Sequence, residues 1–79
     1  MSSLGSNLRA ARKRIFPSDT MQDFALRLGV SRATLQKMEQ GDLSVSLEKY
    51  VQAARLLGCE EQFEKLFYIP PSLFDDADE

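Results

Sequence analysis

At 79 residues the chain has room for one hydrophobic core and no second one. Its 43% hydrophobic and 28% charged residues exclude wholesale disorder, and one cysteine with no histidine excludes both an internal disulfide and a structural zinc site. The net charge of -2 hides a split, since residues 1–58 hold nine Lys or Arg against five acids while residues 59–79 hold one Lys against seven, so a basic body carries an acidic end and nucleic acid stays open as a partner.

Leu4, Leu8, Ala11 and Ile15 recur at helical spacing and predict a first helix with an inward apolar stripe that stops near Ile15. Pro17, Ser18 and Asp19 form a turn, and Ser18, Asp19 or Thr20 can cap the next helix. That second helix is predicted from about Thr20 to Leu28, with Met21, Phe24, Ala25 and Leu28 inward and Gly29 as its stop. Ser31 caps a third, short and polar helix from about Arg32 to Gln40, which buries Leu35 and Met38 and ends at Gly41.

After a loop over 42–45, Ser46 can cap a fourth helix in which Leu47, Tyr50, Val51, Ala54 and Leu57 keep the period up to Gly58. A fifth, from about Glu60 to Phe67, offers Phe63, Leu66 and Phe67 to the core. Pro70 and Pro71 then break any helix, and Asp75, Asp76, Asp78 and Glu79 form a solvated acidic end. The prediction is an all-α domain over 1–68 followed by a Pro-containing acidic tail over 69–79.

The longest apolar runs, such as Leu66 to Ile69, fall far short of the roughly 20 residues that cross a bilayer, and no secretion signal pattern stands at the N-terminus. A reducing, cytoplasmic setting and no membrane are expected. With no histidine, no Gly-rich phosphate loop and no nucleophile beside a base, neither enzymatic activity nor a cofactor or metal is expected.

The informative stretch is Met21 to Gly41. A steep helix crossing over a short turn needs a very small residue at the contact, which Ala25 supplies, and Gly29 permits the turn. Phe24, Leu28, Val30, Leu35 and Met38 fill the wedge, leaving Arg32, Ala33, Gln36, Lys37 and Gln40 outside. Such a face suits the major groove, because Arg and Lys donate to guanine and Gln pairs with adenine.

Phe24-Ala25-Leu26-Arg27-Leu28-Gly29-Val30-Ser31 and Glu39-Gln40-Gly41 resemble, in order and spacing, the lambda-repressor and Cro type of helix-turn-helix domain, the XRE family. The resemblance spans roughly residues 4–67 and implies a compact five-helix lambda-repressor-like fold. It implies base reading just after the Ser31 cap, by Arg32 and Ala33 with Lys37 a turn further on, and phosphate contacts from Thr34 and the start of the second helix. Met21 stands where the family usually has Gln, so Gln22 or the helix N-terminus is expected to take that phosphate. Arg9, Lys13, Arg14 and Arg27 read as surface cations with diffuse phosphate attraction, and Cys59 as a small packed side chain.

The family also pairs a first-helix Arg with the Glu of Glu-x-Gly. Counting back from Met21 picks Arg14, but the loop at Phe16 to Asp19 is longer than the family's, and helical phase picks Arg12, which sits four residues after Leu8. An Arg12 to Glu39 ion pair is the expectation. The function implied is a sequence-specific transcriptional regulator, a repressor, bound to a palindromic operator in double-stranded DNA as a homodimer through the fifth helix, Phe67, Tyr68, Ile69, Leu73 and Phe74. The alternative is an antitoxin-like or adaptor protein, a likeness carried by Gly41 to Ser46 and Leu56-Leu57-Gly58, that couples DNA binding to a protein partner such as a toxin through the same segment.

Overall fold

The computed structural model describes residues 2–71, and the expectations placed on Leu73, Phe74 and the acidic end lie outside the described residues. Five helices follow in order: α1 (Ser2–Ile15), α2 (Met21–Leu28), α3 (Arg32–Glu39), α4 (Leu47–Leu56) and α5 (Glu61–Glu64). Among the described residues there is no strand, and none of the helices is long and apolar enough to cross a membrane.

The core forms where the inward faces of four helices meet. Leu8 comes from α1, Phe24, Ala25 and Leu28 from α2, Leu35 and Met38 from α3, and Tyr50 and Ala53 from α4, with Leu57 closing the end. Phe24, Leu35 and Met38 are the largest side chains fully withdrawn from solvent. α3 thereby packs on both α1 and α2, while α2 also reaches α4. Burying three large side chains at roughly 1.5–3 kcal/mol each anchors the short α3, whose eight residues are too few to be helical alone.

The loop ahead of α2 is fastened at several points. Thr20 and Asp23 form a reciprocal capping box, Thr20 N–H donating to Asp23 Oδ2 at 3.0 Å and Asp23 N–H to Thr20 Oγ1 at 3.1 Å. Arg27 reaches back with Nε 2.5 Å from Asp19 Oδ2 and its terminal nitrogen 3.1 Å from Asp19 Oδ1, and its guanidinium lies 4.4 Å above the Phe16 ring. Phe16 in turn meets Phe24 edge to face, with centroids 5.7 Å apart.

Four apolar side chains expected inside are outside. Ile15 is 47% exposed because α1 ends there beside an open groove, and Leu47 is 61% exposed because the first turn of α4 has nothing packed upon it. Leu66 and Phe67, at 50% and 90%, lose their expected core places because α5 is four residues long and the chain turns away, Phe67 itself adopting φ 68°. Phe63 alone of that helix packs against the core, and Ser46 precedes α4 without a side-chain capping bond.

A candidate nucleic-acid interface on α3

The turn between α2 and α3 turns on two small residues. Gly29 has φ 81°, a left-handed backbone that a side chain resists, and it ends α2 by donating to the Ala25 carbonyl at 2.8 Å. Val30 N–H donates to the same carbonyl at 3.0 Å, so the chain doubles back at once. Ala25 itself is fully buried in the contact, where a larger side chain would push the helices apart.

Ser31 then starts α3 with extended backbone, accepting from Thr34 N–H at 3.0 Å and donating its own hydroxyl proton to Thr34 Oγ1, also at 3.0 Å. This arrangement leaves the Thr34 hydroxyl proton available to an outside acceptor. Leu35 and Met38 are withdrawn from solvent, and their burial fixes the rotation of α3 about its axis. Arg32, Ala33, Gln36, Lys37 and Gln40 consequently all stand exposed on the other side. Neither Arg32 nor Lys37 makes an ion pair among the described residues. Arg32 is therefore free to meet an external acceptor, while Lys37 lies close enough to Asp42 to help hold that carboxyl low.

The far end of α3 is held from α1. Arg12 Nε lies 2.6 Å from Glu39 Oε2 and its terminal nitrogen 3.2 Å from Oε1, a two-pronged pair whose side chains are only 6% and 7% exposed. Arg12 is the residue that helical phase selects over Arg14, which is exposed. Two turns earlier Gly5, buried, lies against the end of α3. A Cβ there would overlap the Glu39 carbonyl oxygen and stand 2.6 Å from Gly41 N. Gly5 was not singled out from the sequence, although its spacing of three from Leu8 and seven from Arg12 puts it on their face.

Electrostatics around α2 differ from the sequence reading in one respect. Arg27, expected as a loose surface cation, is bound to Asp19, and the hydrogen bond between them holds the Asp19 carboxyl below and the Arg27 guanidinium above their ordinary ranges. Sequence order alone did not pair residues eight apart across a turn. Gln22 is exposed on the first turn of α2 beside Asp23, whose carboxylate already caps that helix. Past α3, Ser44 donates to Asp42 Oδ1 at 2.8 Å and Tyr50 donates its hydroxyl to the Asp42 carbonyl at 2.7 Å, closing the loop into α4. Hydrogen bonding from Ser44 keeps the Asp42 carboxyl low, while burial raises the Tyr50 phenol.

Two helices joined over a tight glycine turn, the second capped by serine and showing a polar, basic edge to solvent, define a helix-turn-helix protein of the lambda-repressor-like fold. Residues 19–63 match the Helix-turn-helix family, more than half of the chain, and the protein belongs to that family in its XRE form. It is a DNA-binding transcription regulator of that type, in a family of regulators rather than enzymes. No curated protein and no solved structure matches the chain.

Proposed function

We propose that the protein is a sequence-specific repressor, acting in the cytoplasm, that binds a two-fold symmetric operator as a homodimer. The observation that carries this reading is the unpaired Arg32 at the serine-capped tip of α3, on a face shared with exposed Ala33, Gln36, Lys37 and Gln40. With that tip in the major groove, Arg32 donates to the O6 and N7 of a guanine, Ala33 offers its methyl to thymine, and Gln36, Lys37 and Gln40 serve neighbouring base edges. Thr34, through its spare hydroxyl proton, and Gln22 on α2 hold the flanking phosphates.

A single helix of this length touches only about four or five base pairs, too few to specify a site, so two copies on half-sites about one DNA turn apart supply the rest. The exposed run Leu66, Phe67, Tyr68 and Ile69 supports a self-association surface separate from the α3 edge in sequence. The same run supports a second reading, an antitoxin-like or adaptor protein in which those side chains meet a different protein. Light scattering separates the two, a dimer of the isolated chain favouring the first and a monomer the second.

Selection of bound duplexes from a random pool tests the DNA reading. The expected result is an enriched site with two inverted halves whose centres lie about 10 base pairs apart. A pool that stays random after repeated selection at low salt overturns it.

A further inference from the structure

An apolar groove runs between α1 and α4, with no residue of α3 in its lining. Leu4, Ala11 and Ile15 of α1 form one wall, Ala54 of α4 the other, and Cys59 and Phe63 one end, enclosing a volume of about 440 Å³. Volumes of this size accept aromatic and aliphatic groups readily. The chain that leaves the groove at Phe63 continues as an arm, Leu66, Phe67, Tyr68 and Ile69, with those side chains 50%, 90%, 64% and 44% exposed. Within one copy, then, an open apolar groove and an uncovered apolar arm exist together, and no arm residue lines the groove.

Two features stiffen the arm. Phe67 holds a left-handed backbone at φ 68°, and Pro70-Pro71 follows at once, so the arm that stands clear of its own groove has little freedom to fold into it. We infer that the groove between α1 and α4 receives the arm of a second copy, so that two chains exchange arms reciprocally about a two-fold axis. This deepens the homodimer reading above and rests on it.

Area supports the choice of a second copy. Aromatic side chains offer some 150–250 Å² each, so the four arm residues present on the order of 500 Å². The grooves themselves expose less, so two arms and two grooves bury about 1,300 Å², within the roughly 1,200–2,000 Å² of specific, stable interfaces. No residue of α3 lines the groove, so an arm seated there does not occupy the exposed α3 edge.

The experiment uses the full chain. Sedimentation equilibrium is run on the native protein, on Phe67→Asp and on Ile15→Asp, both changes at exposed positions that the fold tolerates, and each is expected to raise the dimer dissociation constant about tenfold or more. In a Cys59→Ser background, Ile15→Cys/Phe67→Cys is oxidised and its products sized under denaturing conditions. Covalent dimers from the double variant, with none from either single variant, support the exchange. A native dimer that Phe67→Asp weakens and Ile15→Asp does not, or a disulfide that forms within one chain, overturns the exchange and leaves the homodimer intact. A native chain that stays monomeric at high concentration overturns both.

Discussion

Arg12 and Glu39 meet side by side across the α1 to α3 contact, with both carboxylate oxygens engaged and neither side chain more than 7% exposed. The pair fixes the end of α3 opposite its serine-capped tip, so the tilt of the proposed reading edge depends on a contact at the other end of the helix. Desolvating two charges offsets much of their attraction, and the pair's value lies in orientation more than in net stability.

That balance gives a definite expectation. Glu39→Ala leaves a buried guanidinium without a partner and is expected to cost about 3–5 kcal/mol in urea unfolding. Arg12→Met/Glu39→Leu, which removes both charges and keeps volume, is expected to recover most of the loss. Were Glu39→Ala as mild as a surface substitution, about 0.5 kcal/mol or less, the pair would not be holding α3.

Gly5 presents two opposed effects whose sizes decide the outcome. Alanine in a helix interior is favoured over glycine by about 1 kcal/mol, so Gly5→Ala strengthens α1 taken alone. The added methyl, however, meets the Glu39 carbonyl oxygen and stands 2.5 Å from its carbon, backbone atoms that cannot swing aside. Overpacking of that kind costs typically 1–3 kcal/mol and wins. Gly5→Ala is expected to lower the urea midpoint and the DNA affinity together; a raised midpoint would mean that α1 and α3 separate at no cost.

The capped, punctuated part of the chain is legible in the amino-acid sequence itself. Thr20, Gly29 and Ser31 each perform a backbone task that few residue types can, so α2 and α3 begin and end within a residue of their predicted bounds. The family resemblance implied a partner for Glu39 on the first helix, and phase, which a helix preserves over many turns, chose Arg12 rather than Arg14. Where the structure departs from the reading, the deciding contact joins elements distant in sequence or is missing altogether. Gly5 is needed only because α3 ends against it, and the Phe16, Asp19 and Arg27 cluster depends on how a long loop closes over α2. Leu66 and Phe67 look like core residues by period, yet period cannot say whether another surface arrives to cover them.

Acid should loosen the Asp19 to Arg27 clamp. Because the folded carboxyl titrates below the unfolded value near 3.8, its contribution is complete above that value and is lost as pH falls through the lower folded value. Asp19→Asn removes the titration. Denaturant unfolding of both proteins between neutral pH and pH of about 3 is expected to show a gap that narrows on acidification. A gap that stays constant across the range would detach the clamp from the carboxylate's charge.

Base reading and phosphate attraction leave different signatures, and the two kinds of cation on this surface can be told apart by them. Arg32 stands unpaired at the tip of α3, so Arg32→Ala is expected to cost about 1–3 kcal/mol at one base pair of the selected site and little on sites already altered there. Lys13, exposed on α1, contributes charge without geometry, and Lys13→Ala is expected to weaken every duplex alike and to flatten the salt dependence. Arg27 is already bound to Asp19, so Arg27→Ala should change the salt slope less than Lys13→Ala while lowering stability through the loop it holds. Titrating these variants against the selected duplex and its single-base substitutions at two salt concentrations separates the three. If Arg32→Ala shifted all duplexes equally, as Lys13→Ala should, Arg32 would be a phosphate contact and the base-reading role would pass to Gln36 or Lys37.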